Sequence, residues 1–251
     1  MMRIGTWNLD HCVPEKRDAD RIKIIDNSQC DVIVLTETHD RIRPTDSSYR
    51  PLHSQGRPHF PQNERWTSIW TRLTILDEIV TKDPLRTVAA LLLAGEQRVV
   101  IYGTVLPWHS DIGDAIDFGD LRSETIMSHP RNWYEHSRVV AQQTAEWKSL
   151  QSMYPDASLA IAGDWNTDLL AGTKSVRYPY GPTAQVEQIT SCLNQLGLQI
   201  PTRKFPDPSK HRDWLIDHIA VPKGHTRVTV KPAIADDGAT LSDHPLVCVE
   251  W

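Results

Sequence analysis

Asp164, Asn166 and Asp168 fall close together in "AGDWNTD", directly after the apolar run Leu159 to Ala162. Oxygen-bearing side chains packed that closely suit a hard divalent cation or a water awaiting deprotonation. Other apolar stretches end in a similar way. "IGTWNLDH" carries Asn8 and Asp10, which share a face if the strand runs through both. "VIVLTETHD" places Glu37 just past its apolar stretch, "WLIDHIAV" sets Asp217 in the middle of one, and "LSDHPLVCVEW" puts Asp243 and His244 before the last. Taken singly, an Asp or Asn at a strand end commonly forms a turn. Asp217 is harder to read that way, because a charge flanked by Leu215, Ile216 and Ile219 is costly to bury without a cation or several donors. As a group, these Asp, Glu and Asn side chains offer oxygen ligands for magnesium or manganese, with too few His and Cys for a zinc site.

Such groups need strands to carry them. The sequence predicts strands at 2 to 9, 31 to 37, 66 to 71, 87 to 93, 98 to 106, 158 to 163, 214 to 221, 226 to 231 and 245 to 251. Helices are predicted at 15 to 28, at 137 to 153 with Val140, Thr144 and Trp147 on one face, and at 184 to 196, where Gly197 stops the turn. Strands outnumber helices and often follow one another directly, which argues for sheets packed on each other with helices outside. Residues 107 to 136 and 171 to 183 are long loops rich in Gly, Pro, Asp, Arg and aromatics, a composition often found in functional loops.

At 251 residues, with 39% hydrophobic and 24% charged residues, the expected organisation is one domain spanning 1–251. The net charge of −5 gives no global basic field, so any polyanion site must be local. Cys12, Cys30, Cys192 and Cys248 form no C-x-x-C pair and read as reduced, partly buried thiols. Neither a secretory h-region nor a membrane-spanning stretch is evident, and the expectation is a cytoplasmic monomer with no membrane partner.

"TWNLD", "LTE", "AGDWNTD", "LIDHI" and "SDHPLV", in that order over almost the whole chain, resemble the endonuclease/exonuclease/phosphatase superfamily of exonuclease III, abasic-site endonucleases, deoxyribonuclease I, inositol polyphosphate 5-phosphatases and bacterial sphingomyelinases. The resemblance implies a four-layered α/β sandwich, two mixed sheets face to face with helices outside. It implies Glu37 as the principal Mg2+ ligand, assisted by Asn8, with Asp10 and Asp243 near or on the metal shell and Mn2+ as a possible substitute. Asp164 would orient or deprotonate the attacking water, Asn166 would donate to the phosphate, and His244 would bind the phosphate while paired with Asp217. An imidazolium would offset the charge on Asp217. Phosphodiester hydrolysis calls for such parts: an in-line water, neutralisation of the non-bridging oxygens and help for the departing alkoxide.

The substrate must be read from the surrounding loops. In "TRKFPDPSKHRDWLID", Lys210 and Arg212 stand near Trp214, and basic side chains beside aromatics can meet a nucleic-acid backbone and its bases. A solvated loop with Trp214 entering the core is the competing reading. Trp214 resembles the tryptophan lining the sugar pocket of exonuclease III and its relatives, whereas Thr36 and Leu215 depart from those enzymes. Arg177 and Tyr178 in the second loop and His109 in the first complete the candidate substrate contacts, while His129 and His136 read as surface residues. The expected activity is a magnesium-dependent endo- or exonuclease acting on DNA before RNA. The alternatives are a phosphatase or a phospholipid or inositol phosphate hydrolase with the same centre, and then a non-catalytic binding protein.

Overall fold

β-Branched and aromatic runs set the strands, and their alternation sets which face each side chain takes. The computed structural model describes residues 1–57, 60–108, 133–170, 181–210 and 212–251. Along these residues the strands are β1 Arg3–Asn8, β2 Val32–His39, β3 Arg50–His53, β4 Glu64–Thr71, β5 Thr74–Ile79 and β6 Thr87–Ala94. They continue with β7 Gln97–Val105, β8 Ser158–Asp164, β9 Leu198–Gln199, β10 Asp217–Pro222, β11 Arg227–Lys231 and β12 Leu246–Glu250. The helices are α1 Asp18–Asn27, α2 Tyr134–Met153 and α3 Thr183–Gln195.

The strands make two six-stranded sheets, ordered β11-β12-β1-β2-β4-β3 and β5-β6-β7-β8-β10-β9. Each sheet is antiparallel except for one central parallel pair, β1 with β2 and β7 with β8. Both pairs run their carboxyl ends toward the same side of the molecule, where Asn8 lies opposite Thr36 and Val105 opposite Asp164.

Three apolar layers hold the sheets and helices together. Ile4, Val32, Val34, Val88, Ile101, Ala162, Ile219 and Val247 fill the space between the sheets. Trp147, Val186, Ile189 and Leu193 press α2 and α3 onto the outer face of the second sheet, and Ile25 brings α1 against Trp7, Ile33 and Leu35 on the first. Burial of each such side chain is worth about 1.5–3 kcal/mol, so these layers dominate the stabilisation. The sheets approach closely at Gly103, where an added Cβ would sit 3.0 Å from Val34 Cγ1 and from Thr67 Cγ2 of the facing sheet.

This is the four-layered α/β sandwich the resemblance implies. The structure differs locally from the sequence reading. β3 and β5 were not predicted, and β5 shows why: most of its residues are exposed, so it carries no apolar alternation. A 3-10 turn at Glu15–Arg17 precedes α1, and α2 starts at Tyr134, inside the stretch expected to be loop. Asp217 opens β10 rather than lying mid-strand, because Leu215 and Ile216 precede the strand and β10 pairs with β8 from Asp217 onward. Of the two long loops, residues 109–132 and 171–180 lie outside the described residues.

Candidate active site

Alternation along β1 sends Ile4, Thr6 and Asn8 to the face between the sheets, and along β8 it sends Ala160, Ala162 and Asp164 there. Asp217 lies directly opposite Asp164 in the antiparallel register of β10 on β8. Two residues break the alternation at strand ends by taking left-handed backbone, Glu37 with φ 47° and Asn166 with φ 45°. Gly163, with φ 148°, lets β8 run so close to Thr104 that a Cβ would lie 1.7 Å from its carbonyl oxygen. The ends of these strands open into a cleft of about 500 Å³ that Asn8, Asp10, Glu37, Asp164, Asn166, Lys210, Asp243 and His244 all line.

On the β8/β10 side the carboxylates are sealed from solvent. Asp164 Oδ1 accepts the backbone N–H of Asn166 at 2.8 Å, and its Oδ2 accepts Asn8 Nδ2 at 2.9 Å. Burial, then the neighbouring Asp217 charge, pushes the Asp164 carboxyl up to about 7. Asp217 Oδ2 lies 2.6 Å from His244 Nδ1, while its buried Oδ1 has no partner among the described residues. Burial alone would push His244 down, but the Asp217 carboxylate and its hydrogen bond outweigh it and lift the imidazole to about 10. The close pair therefore keeps its shared proton through neutral pH, with Nε2 left to face the cleft.

On the β1/β2 side both oxygens of Glu37 meet donors. Oε1 accepts Asn8 Nδ2 at 2.9 Å, and Oε2 lies 2.8 Å from His11 Nε2. Burial would raise this carboxyl, yet the His11 contact and the Asn8 hydrogen bond bring it down to about 2. His11 Nδ1 lies 2.6 Å from Glu64 Oε1. Burial would lower this imidazole, but the hydrogen bonds of Glu37 and Glu64 lift it to about 10. Asp10 is raised by its partial burial and then by the charges of Asp243 and Glu37. Glu37, Asp10 and Asp243 thus crowd like charge at one end of the cleft, an oxygen donor set that fits a hard divalent cation.

Several expected placements are corrected. Strand β1 ends at Asn8, and Asp10 follows in a 3-10 turn with φ 48°, so the two are not strand neighbours on one face. Asn8 directs its amide nitrogen at Glu37 and Asp164 while its oxygen accepts the Asp10 backbone N–H, so it bridges the two carboxylates. Asn166 Nδ2 donates to Leu106 O at 2.9 Å and to Asp164 Oδ2 at 3.3 Å, which braces the turn after β8. Asp243, half-exposed, forms a 2.6 Å ion pair with Lys210 across the cleft mouth. The tightest set of metal-capable atoms among the described residues is Asp164, Asp217 and His244, within 4.8 Å of one another, and a proton already joins two of these.

Of the expected substrate contacts, Lys210 lines the cleft, whereas Arg212 and Trp214 do not; the Arg212 guanidinium lies 4.8 Å from the Trp214 ring centroid, beside the site. His109, Arg177 and Tyr178, with His129, lie outside the described residues. His136 is fully buried, not a surface residue, and its Nε2 lies 2.9 Å from Thr167 Oγ1 under the Asp164 loop. Sequence reasoning passed over His11, Arg57, Phe60, Trp66 and Arg86, which also line the cleft with Trp108. The one signal for them is the imidazole directly after Asp10; the others come from strands and turns without a motif.

The model of the Endonuclease/Exonuclease/phosphatase family matches residues 5–244. The chain belongs to this family. Endonuclease/Exonuclease/phosphatase proteins are metal-dependent phosphoesterases, and this member is a phosphoester hydrolase. No curated protein matches the sequence. Among solved structures, the 3′ phosphatase NExo from Neisseria, bound to a product DNA hairpin, superposes with TM-score 0.68 at 17% identity, covering 100% of this chain and 99% of that one. Humanized TDP2 of D. rerio gives 0.61 at 15% identity, over 99% and 97% of the two chains. Beta toxin of Staphylococcus aureus gives 0.63 at 14%, over 100% and 99%. These likenesses establish a shared fold within the family. No helix among the described residues is long and apolar enough to cross a membrane.

Proposed function

We propose that this member of the family hydrolyses nucleic-acid phosphodiester bonds with Mg2+ as cofactor and Mn2+ as substitute. The observation that carries the reading is the make-up of the cleft: an acidic floor of Glu37, Asp10 and Asp164 beneath a rim with Lys210 and the exposed rings of Phe60 and Trp108. Cation and aromatic side by side suit a backbone phosphate with an unstacked base next to it. The DNA product bound to NExo supports the same reading, with DNA ahead of RNA as substrate.

Glu37 would hold the metal ion, with Asp10 nearest to assist, and the ion supplies positive charge to the phosphoryl oxygens when bound. The remaining work falls to side chains of this chain. Asp164, its carboxyl near 7, orients the attacking water and takes its proton. His244 donates Nε2–H to a non-bridging oxygen while Asp217 holds its Nδ1–H. Asn8 and Asn166 fix Asp164 so that one oxygen edge meets the water. We place the protein in the cytoplasm as a one-domain monomer, without a membrane partner; four free, buried cysteines support a reducing compartment.

The test incubates purified protein and Mg2+ with plasmid, single-stranded, abasic and 3′-phosphorylated DNA, RNA, inositol phosphates and sphingomyelin. Cleavage of DNA that disappears in Asp164→Asn is expected. Activity on the lipid or inositol substrates alone would refute the nuclease reading.

A further inference from the structure

Arg57, Phe60 and Trp66 form a stack on the cleft wall that carries Glu37. The Arg57 guanidinium lies 3.3 Å from the ring centroid of Phe60 and 3.4 Å from that of Trp66, and the two centroids are 6.4 Å apart. The cation therefore sits between the rings, close to the line that joins them. Glu64 fixes it from a third direction, its Oε1 accepting Arg57 Nη1 at 2.7 Å. Trp66 is buried behind the guanidinium, whereas Phe60 is 37% exposed and lines the cleft. One face of the Phe60 ring is thus spent on Arg57, and the other is the face it shows to solvent. The His11 ring runs nearly parallel to Phe60, at 12°, but at 6.4 Å it is too distant to cover that face. A ring stiffened from behind loses little freedom when a flat partner settles on its open side.

The position of the ring points to what that partner is. Between Phe60 and Glu37 stands His11, whose Nε2 lies 2.8 Å from Glu37 Oε2. A nucleotide whose phosphate reaches the Glu37 end of the cleft brings its base to within one residue of Phe60. Inside a duplex both faces of a base are covered by its neighbours, and freeing one costs unstacking and unpairing; an unpaired or strand-terminal base offers a face at little cost. The net charge of −5 also gives the chain no broad basic surface of the kind on which duplex binding depends. Resting on the nuclease reading above, we infer that Phe60 is the stacking platform for the base beside the scissile phosphate, and that the preferred substrate is unpaired DNA, a single strand or a frayed end, over continuous duplex. The ring carries no donor or acceptor, so it takes any of the four bases.

Steady-state kinetics with Mg2+ on three substrates test this: a single-stranded oligonucleotide, the same strand in a blunt duplex, and a strand of equal length whose sugars carry no bases. The wild-type chain is expected to show a KM about tenfold lower for the single strand than for the base-free strand, and a higher kcat/KM on the single strand than on the duplex. Phe60→Leu, which keeps the bulk and loses the flat face, should raise KM for the single strand about tenfold with little change in kcat, so that the two strands become alike; Phe60→Trp should restore the difference. Equal wild-type KM for the strands with and without bases overturns the inference, and that comparison needs no variant to fold. A loss in Phe60→Leu that falls equally on both strands assigns the ring a structural role and overturns it as well, as does faster cleavage of the duplex than of the single strand. In each of these cases DNA is still cut and the nuclease reading stands. A wild-type chain that cleaves no nucleic acid in any form overturns both.

Discussion

His244 with Asp217 on the β8/β10 side and His11 with Glu37 on the β1/β2 side pair the same chemical groups, at 2.6 Å and 2.8 Å. Both imidazoles are raised to about 10, yet the carboxylates move in opposite directions. Asp217 is raised, chiefly by burial, and one of its oxygens has no partner among the described residues. Glu37, met by donors on both oxygens, falls to about 2. An imidazole neighbour alone therefore does not set a carboxylate's state; the number of donors it meets and its access to water decide. One side keeps carboxyl groups poised to exchange protons, and the other keeps a permanent negative charge to attract a cation.

The contrast can be broken hardest at Asp164. Asp164→Asn is expected to lower kcat on the order of 10³-fold or more while metal Kd changes little, because it removes the base and leaves Glu37 in place. Glu37→Gln reverses the pattern: the metal Kd measured by calorimetry should rise on the order of 100-fold, with activity partly restored at high metal concentration. Equal effects of both variants on metal binding would dissolve the distinction between the two sides.

Asp217→Asn sharpens the comparison through pH. The rate of the wild-type enzyme should rise through a limb at or below about 7 as Asp164 loses its proton, and fall near 10 as His244 does. Without the carboxylate, His244 loses the interaction that raises it, so the alkaline limb should move toward neutral pH and kcat should drop about 100-fold. A profile identical to wild type would show that the pair does not set the imidazole's charge.

The smallest effect concerns stability. His136 and His218, which brace Thr167 beneath the Asp164 loop, are lowered by burial to about 4 and about 3. Between those values and the ordinary 6.5, the unfolded chain takes up protons that the native one refuses. The contribution of these two groups is thus fully present above about 6.5 and is lost as pH falls, with a slope approaching about 1.4 kcal/mol per pH unit for each histidine, offset in part over the same range by the Asp164 carboxyl, raised to about 7. Denaturant titrations at pH 7 and 5 measure it, and replacing His136 with Gln should flatten the decline.

How much of this the sequence carried depends on how each residue is placed. Asn8, Asp164 and His244 were legible because they sit at or beside the ends of apolar strands, where alternation and short motifs report their position. Asp217 announced itself as a charge among Leu215, Ile216 and Ile219, although its strand begins later than expected. His11 was not legible, since three consecutive residues with positive φ, Asp10, His11 and Cys12, turn its ring back toward Glu37. Glu64 and Arg57 join it only through the pairing of β4 with β2 and the turn before β4, contacts that no local pattern encodes. Asn166 carried the expected motif but not the expected partners, because its left-handed backbone aims the amide at Leu106 O and Asp164.

The catalytic groups come from both sheets, Asn8, Glu37 and His244 from the first and Asp164 and Asp217 from the second, and the gap between the sheets is narrow at Gly103. A methyl group there would act as a shim, forcing Val34 and Thr67 back by a few tenths of an ångström. Strands β2 and β7 run from that point of contact toward the cleft, so the same wedge would splay the jaws that the Asn8 amide and the His244–Asp217 pair now span. Alignment of the reacting groups is thus held by a hydrogen atom in the interior, remote from anything the substrate touches.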